Sequence, residues 1–199
     1  MFNLIEKIYN FADKFHTQRL FLFYKNKNID CLVDVGSHKG EFILKVIRDN
    51  KLPIFSFEPQ IKIAKILKKN TMQFNIKKYF SYALSDFNGK MNLHINTLSS
   101  TSSLLKTDES SFWIKFKKFL LGNKLYKGIQ KTEVRTMDKI LKNNLKNYKR
   151  ILLKIDVEGL ESKVLKGAIQ TIKYNQIAFI QIENANYNIY NNQKNNNQQ

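Results

Sequence analysis

Residues Leu32 to Phe42 read LVDVGSHKGEF, an apolar strand carrying Asp34, a Gly36-x-x-x-Gly40 turn and the start of an amphipathic helix. Glycines at such a turn let the backbone reverse tightly and bring its N–H groups close to a ligand. A phosphate-binding loop would close on Gly-Lys-Ser or Gly-Lys-Thr, and a dinucleotide loop would read G-x-G-x-x-G. This turn is neither. It joins a strand to a helix either for the backbone alone or to hold a ligand other than a phosphate chain.

Outward from it, the pattern repeats. Cys31–Val35 predicts a strand, and Glu41–Asn50 a helix with Phe42, Ile43, Val46 and Ile47 on one side. Ile54–Phe57 predicts a second strand, then Pro59 and a helix over Ile61–Asn70, then a third strand over Lys78–Leu84. This β-α-β-α-β order is that of an α/β protein with a mostly parallel, doubly wound sheet. Upstream, residues 2–24 carry apolar residues at helical spacing, and residues 1–30 read as an N-terminal helical appendage. Downstream, Asn88-Gly89 before the alternating KMNLHI predicts a tight hairpin. TEVRTMDKIL predicts a short strand and the start of a helix. Ile151–Val157 predicts a buried strand, Gly159–Tyr174 a helix and Ile177–Glu183 a last strand.

The 199 residues suit one domain, expected over 31–184 with an insertion at about 97–130. No apolar run reaches the roughly 18 residues of a membrane span, the N-terminus does not read as a signal peptide, and the single Cys31 excludes an internal disulfide. The expected location is the cytoplasm. A formal charge of +18 invites a nucleic-acid partner, but only four of the 34 basic residues are arginine, the side chain best suited to phosphate and base recognition. The charge reads as solvated surface, with no specific nucleic acid expected.

Chemistry gathers at strand ends. Glu58 closes the second strand 24 residues after Asp34. An acidic residue about 20 positions beyond the glycine turn hydrogen-bonds a ribose diol in doubly wound nucleotide folds. Ser85 and Asp86 follow the third strand. In ILLKIDVEGLE, Lys154, Asp156 and Glu158 alternate within an otherwise apolar strand, on one side. Buried unpaired charge is costly, so these either neutralise one another or line a site. Glu183 adds a carboxylate after the last strand.

With these motifs in order, the chain resembles the FkbM family of S-adenosylmethionine-dependent methyltransferases. The resemblance rests on LVDVGSHKGEF, FSFEP, ALSD, the Asn-Gly turn, VRTMDKIL, LLKIDVEGLESKVLKGA and FIQIEN, over about residues 31–184. It implies a Rossmann-like class I methyltransferase fold and S-adenosylmethionine as cofactor. It implies that Asp34, Gly36, Ser37 and Gly40 cradle the methionine part, that Glu58 binds the ribose, and that Ser85 and Asp86 border the adenine. Asp156 and Glu158 would face the methyl group and its acceptor. Methyl transfer to a hydroxyl requires in-line alignment and a proton acceptor; Asp156, Glu158 and His38 are the candidates. Asp156, Glu158 and Glu183 would suit a hard divalent cation, but no metal site is assigned.

Two departures temper the resemblance. The antiparallel hairpin that ends such folds looks missing or degenerate, because residues 185–199 read as a polar Asn/Gln-rich tail expected to be disordered. The fifth strand would then be an exposed edge open to a second copy. Residues 112–128 are aromatic and basic, around Phe112, Trp113, Lys115, Phe116, Lys117, Lys118, Phe119 and Leu120; they suit a lid or a peripheral contact with the inner face of a membrane. The expected activity is O-methylation of a small molecule or glycan, in a sugar of a cell-surface glycan or its precursor. The alternatives are a truncated, non-catalytic or partner-dependent relative, and a nucleic-acid methyltransferase or binder.

Overall fold

The computed structural model describes residues 16–96 and 126–183. Eight strands follow in chain order: β1 (Cys31–Val35), β2 (Ile54–Phe57), β3 (Ile76–Phe80), β4 (Ala83–Leu84), β5 (Gly89–Asn96), β6 (Tyr126–Arg135), β7 (Ile151–Ile155) and β8 (Ile177–Ile182). The helices are α1 (residues 16–25), α2 (Ile61–Asn70), α3 (Met137–Leu141), α4 (Glu161–Lys166) and α5 (Ile169–Tyr174), with one π-helical turn at Ile43–Ile47.

The main sheet is all-parallel, in the order β3-β2-β1-β7-β8. Every residue of β1 and β7 is buried, as expected of central strands covered on both faces. Val33, Val35, Phe55, Phe57, Leu153 and Ile155 pack on one face with Met137, Leu141, Val164 and Ala168 of the later helices. Leu32, Ile54 and Leu152 pack on the other with Tyr24, Phe42, Ile47 and Phe179. The strand order reverses between β1 and β7, the switch point where open α/β sheets bind ligands. A second sheet, β4-β6-β5, packs Ala83, Leu93 and Val134 against Leu160 beyond the end of β7.

Several expectations are corrected. Lys78–Leu84 is not one strand. The parallel sheet ends at Phe80, and Ala83–Leu84 pairs with β6 in the second sheet. Asn88-Gly89 is not a hairpin turn, because β6 lies between β4 and β5 and is the antiparallel partner of β5. Asn88 instead accepts a hydrogen bond from the Thr136 N–H. The helix expected to Asn50 ends early. It winds as a π turn and stops at Arg48, which takes a left-handed φ of 57° and donates its N–H to Ile43 O. The strand expected to Val157 ends at Ile155. The helix expected over Gly159–Tyr174 breaks at Gly167, whose carbonyl accepts from Asp138 N and where a Cβ would lie 2.0 Å from Ser85 O. Residues 126–130, expected within the insertion, belong to β6. The aromatic lid residues, the N-terminal residues 1–15, and the expected tail and missing hairpin lie outside the described residues.

Asp138 of α3 also caps a different helix. Its carboxylate accepts from Gln170 N and Thr171 N at the start of α5. Asp138→Ala should cost about 1–2 kcal/mol, as other lost N-terminal caps do; an unchanged urea midpoint would show that the cap is dispensable.

Candidate functional site

One face of the main sheet changes character near the carboxyl ends of its strands. The apolar row Ile54–Leu32–Leu152–Phe179 is followed, two residues on, by a polar row: Tyr79, Ser56, Asp34, Lys154 and Gln181 stand side by side in register. Asp34 and Ser56 are fully buried and Lys154 nearly so. Polar groups buried like this need partners. Ser56 Oγ donates to Ser37 Oγ at 2.7 Å, and Ser37 Oγ donates to the Asp34 carbonyl at 2.8 Å. Tyr24 OH donates to Gln181 Oε1 at 2.8 Å.

Lys154 is the centre of this row. Its Nζ lies 3.4 Å from Asp34 Oδ1 and 3.1 Å from Asp156 Oδ2, and donates to Gly36 O at 3.0 Å. Burial alone would lower its pKa, but the charges of Asp34 and Asp156 outweigh it and hold Lys154 above the ordinary lysine value. Burial pushes the Asp34 carboxyl up, and Lys154 opposes that. Neither Asp34 carboxylate oxygen accepts a hydrogen bond of good geometry. Lys154 is therefore the cation that makes this buried carboxylate tolerable.

The glycine turn holds no phosphate nest. Gly36 N and Ser37 N both donate to Phe57 O, at 3.0 and 2.9 Å, and Gly40 N donates to Ser37 O at 2.8 Å. His38 N donates to Glu58 Oε2 and Lys39 N to Glu41 Oε2, both at 3.0 Å. All five N–H groups are committed within the protein. Gly36 has φ +78° and touches the next loop so closely that a Cβ would sit 1.8 Å from Asp156 O. Gly40 packs on α2, where a Cβ would meet Thr71 Cγ2 at 2.7 Å. The glycines thus serve close backbone packing, and Ser37 is an internal brace.

Glu58 is buried at the end of β2. Its two oxygens each accept one backbone N–H, from His38 and from Gln60 at 2.8 Å. Burial pushes its pKa up to about 7, against the pull of those donors. A carboxylate has about four acceptor positions, so each oxygen retains one for a ligand hydroxyl. His38 takes φ +47°, and its Nδ1 lies 3.1 Å from Glu41 Oε1. Burial would raise the Glu41 carboxyl, but the hydrogen bond from His38 and the backbone donors bring it below its ordinary value.

Across the switch point, Asp156 N donates to Val35 O, and Glu183 N donates to Ile155 O, both at 3.0 Å. Glu183 is pushed up first by the charge of Asp156 and then by burial, with Lys154 opposing. Glu158 and Gly159 both have positive φ, 55° and 96°. Glu161 Oε1 spans this bend, accepting from Val157 N at 3.3 Å and Gly159 N at 3.1 Å.

The structure therefore brings Asp34, Gly36, Ser37, His38, Gly40, Glu58 and Asp156 to one end of the sheet. The expected i, i+2, i+4 alignment of Lys154, Asp156 and Glu158 is corrected, because only Lys154 lies in β7 and Glu158 sits on the left-handed bend. Ser85 and Asp86 follow β4 of the second sheet. Ser85 N donates to Arg135 O and its carbonyl abuts Gly167, while Ser85 Oγ donates to Asp86 Oδ1 at 3.1 Å. Sequence reasoning missed Ser56 and the bracing role of Glu161. The signal for Ser56 was a lone hydroxyl within the buried strand IFSF; that for Glu161 was its position after the glycine of Glu158-Gly159-Leu160. Among the described residues, no group of three or more His, Cys, Asp or Glu is arranged to hold a metal ion, and no helix is long and apolar enough to cross a membrane.

Comparison with protein families matches residues 34–197 to the family described as Methyltransferase FkbM domain. The match begins within β1 at Asp34 and runs through β8 to beyond the described residues. No curated protein and no solved structure matches the chain.

Proposed function

The chain belongs to the methyltransferase FkbM domain family, and from that premise we propose that it transfers the methyl group of S-adenosylmethionine to a hydroxyl of a sugar, in a cell-surface glycan or its precursor. The observation that carries the cofactor reading is electrostatic. Asp34, Glu58, Asp156 and Glu183 gather with Lys154 at the switch point of a chain whose formal charge is +18. An acidic crevice with every loop N–H already committed suits a cationic nucleoside and rejects a phosphate chain.

The residues fit that cofactor. Glu58 has one acceptor position left on each oxygen for the two ribose hydroxyls. Asp156, partly exposed beside Lys154, would face the ammonium and sulfonium groups. Asp34 has no exposed surface, so it acts through Lys154 and the loop rather than by touching the ligand. When bound, S-adenosylmethionine supplies an electrophilic methyl group on sulfur. The protein's share is to align an acceptor oxygen with it and to take the hydroxyl proton. Glu183 suits the proton step, because a carboxyl raised by the charge of a neighbour, here Asp156, is a stronger base than an isolated one. His38 belongs to the Glu58 end of the crevice, and its ring is engaged by Glu41.

Calorimetric titration of the full chain with S-adenosylmethionine tests the reading. Micromolar binding is expected, and Glu58→Ala should weaken it by about 1.5–3 kcal/mol, the worth of charged hydrogen bonds. No binding by a chain shown to be folded by circular dichroism would overturn the proposal. Acceptor assays with sugar nucleotides and glycans then test the hydroxyl reading, which fails if methyl transfer goes only to nitrogen or to nucleic acid.

A further inference from the structure

The exposed face of α2 has a composition that methyl transfer does not require. From Pro59 to Ser85 the chain holds six lysines, at positions 62, 65, 68, 69, 77 and 78, with no arginine and no acidic residue. Ile63, Ala64 and Leu67 turn α2 toward the protein. The outward side presents two helical rows, Ile61–Lys65–Lys68 and Lys62–Ile66–Lys69, each with spacing i, i+4, i+7. Apolar side chains stand exposed among these lysines: Ile61 at 54%, Ile66 at 39% and Met72 at 76%.

A face that served only solubility would gain nothing from exposed isoleucines between lysines. A nucleic-acid groove would favour arginine forks and exposed aromatic rings for stacking, and this face has no arginine. Lysine ammonium groups around short aliphatic side chains suit an anionic bilayer. The charges meet headgroups, the stems lie along the surface, and the apolar tips reach the acyl boundary.

We propose that the α2 face, with Lys62, Lys65 and Lys69 around Ile61 and Ile66, docks this protein on an anionic lipid bilayer. The N-terminus of α2 follows Glu58 and Gln60 directly, so the docked face borders the crevice. The proposal stands on surface chemistry and does not depend on the methyl-transfer reading.

The test is co-sedimentation of the full chain with phosphatidylglycerol-rich vesicles and with pure phosphatidylcholine vesicles. Binding to the anionic vesicles alone is expected, weakening with salt. The triple variant Lys62→Glu, Lys65→Glu, Lys69→Glu should lower partitioning by about a hundredfold, at about fivefold for each lysine lost from the surface. Lys139→Glu, Lys146→Glu, Lys166→Glu makes the same charge change on α3, the turn after it and α4, whose Leu141, Leu145 and Val164 pack with Val33 and Leu153 of the sheet, and should lower it far less. Ile66→Ser should lower it at unchanged charge. All these positions are exposed, and circular dichroism checks that each variant folds. Equal losses in the two triple variants would overturn the proposal, reducing the effect to net charge. So would absent vesicle binding, or a DNA oligonucleotide bound through the α2 lysines in preference to vesicles.

Discussion

Lys154→Met is expected to lower folding stability by about 3–5 kcal/mol, the range for breaking a buried ion pair by removing one partner. Methionine fills a similar volume, so the loss reports charge rather than packing. Asp34, with no exposed surface, would lose the ammonium 3.4 Å away, and Gly36 O would lose a donor. The penalty should shrink as pH falls, because a protonated Asp34 needs no counter-ion. Adding Asp34→Asn should restore part of the loss, since neighbours in one network are not additive. The sign for Lys154 itself follows from its raised pKa. Its contribution is fully present below the unfolded lysine value of about 10.4 and is lost as pH rises through the higher folded value. Chemical denaturation of the parent and these two variants across pH decides this. A Lys154→Met protein as stable as the parent would remove Lys154 as the counter-ion of the row.

The second large effect belongs to Glu58. Its folded pKa is about 7, against 4.5 for an unperturbed glutamate. The folded state therefore binds more protons over that window. The stability this contributes is fully present below about pH 4.5 and is lost as pH rises through about 7. The two values give a slope worth about 3 kcal/mol in all. Glu58→Gln should flatten it. Ligand binding should run the other way. Two ribose hydroxyls donating to Glu58 need the carboxylate, so S-adenosylmethionine affinity should rise with pH through about 7. Calorimetry in buffers of different ionisation enthalpy would show protons released on binding. Affinity independent of pH over that window would take Glu58 out of the ribose role.

Much of the fold is legible in the sequence. β1, β2 and α2 fall where apolar runs and helical spacing predict them, because local burial decides those elements. The position of Glu58 at the carboxyl end of β2 was legible, because the apolar run of that strand stops there. The role of the glycine turn was only half legible. Its glycines mark close approach, but sequence does not say whether backbone or ligand approaches. Here Asp156 O and Thr71 do, and the N–H groups point to Phe57, Ser37, Glu41 and Glu58.

The sequence alone determined the alternation of strands and helices, the carboxylates at strand ends and the family to which the chain belongs. These rest on periodicity and on residues close together in the chain. Only the tertiary structure decided that β6 inserts between β4 and β5, and that Gly167 breaks a helix against Ser85. It also decided that Asp34 and Lys154, 120 residues apart, pair across the switch point. Those outcomes depend on register between distant strands, and shifting that register by one residue would send Lys154 to the opposite face of the sheet.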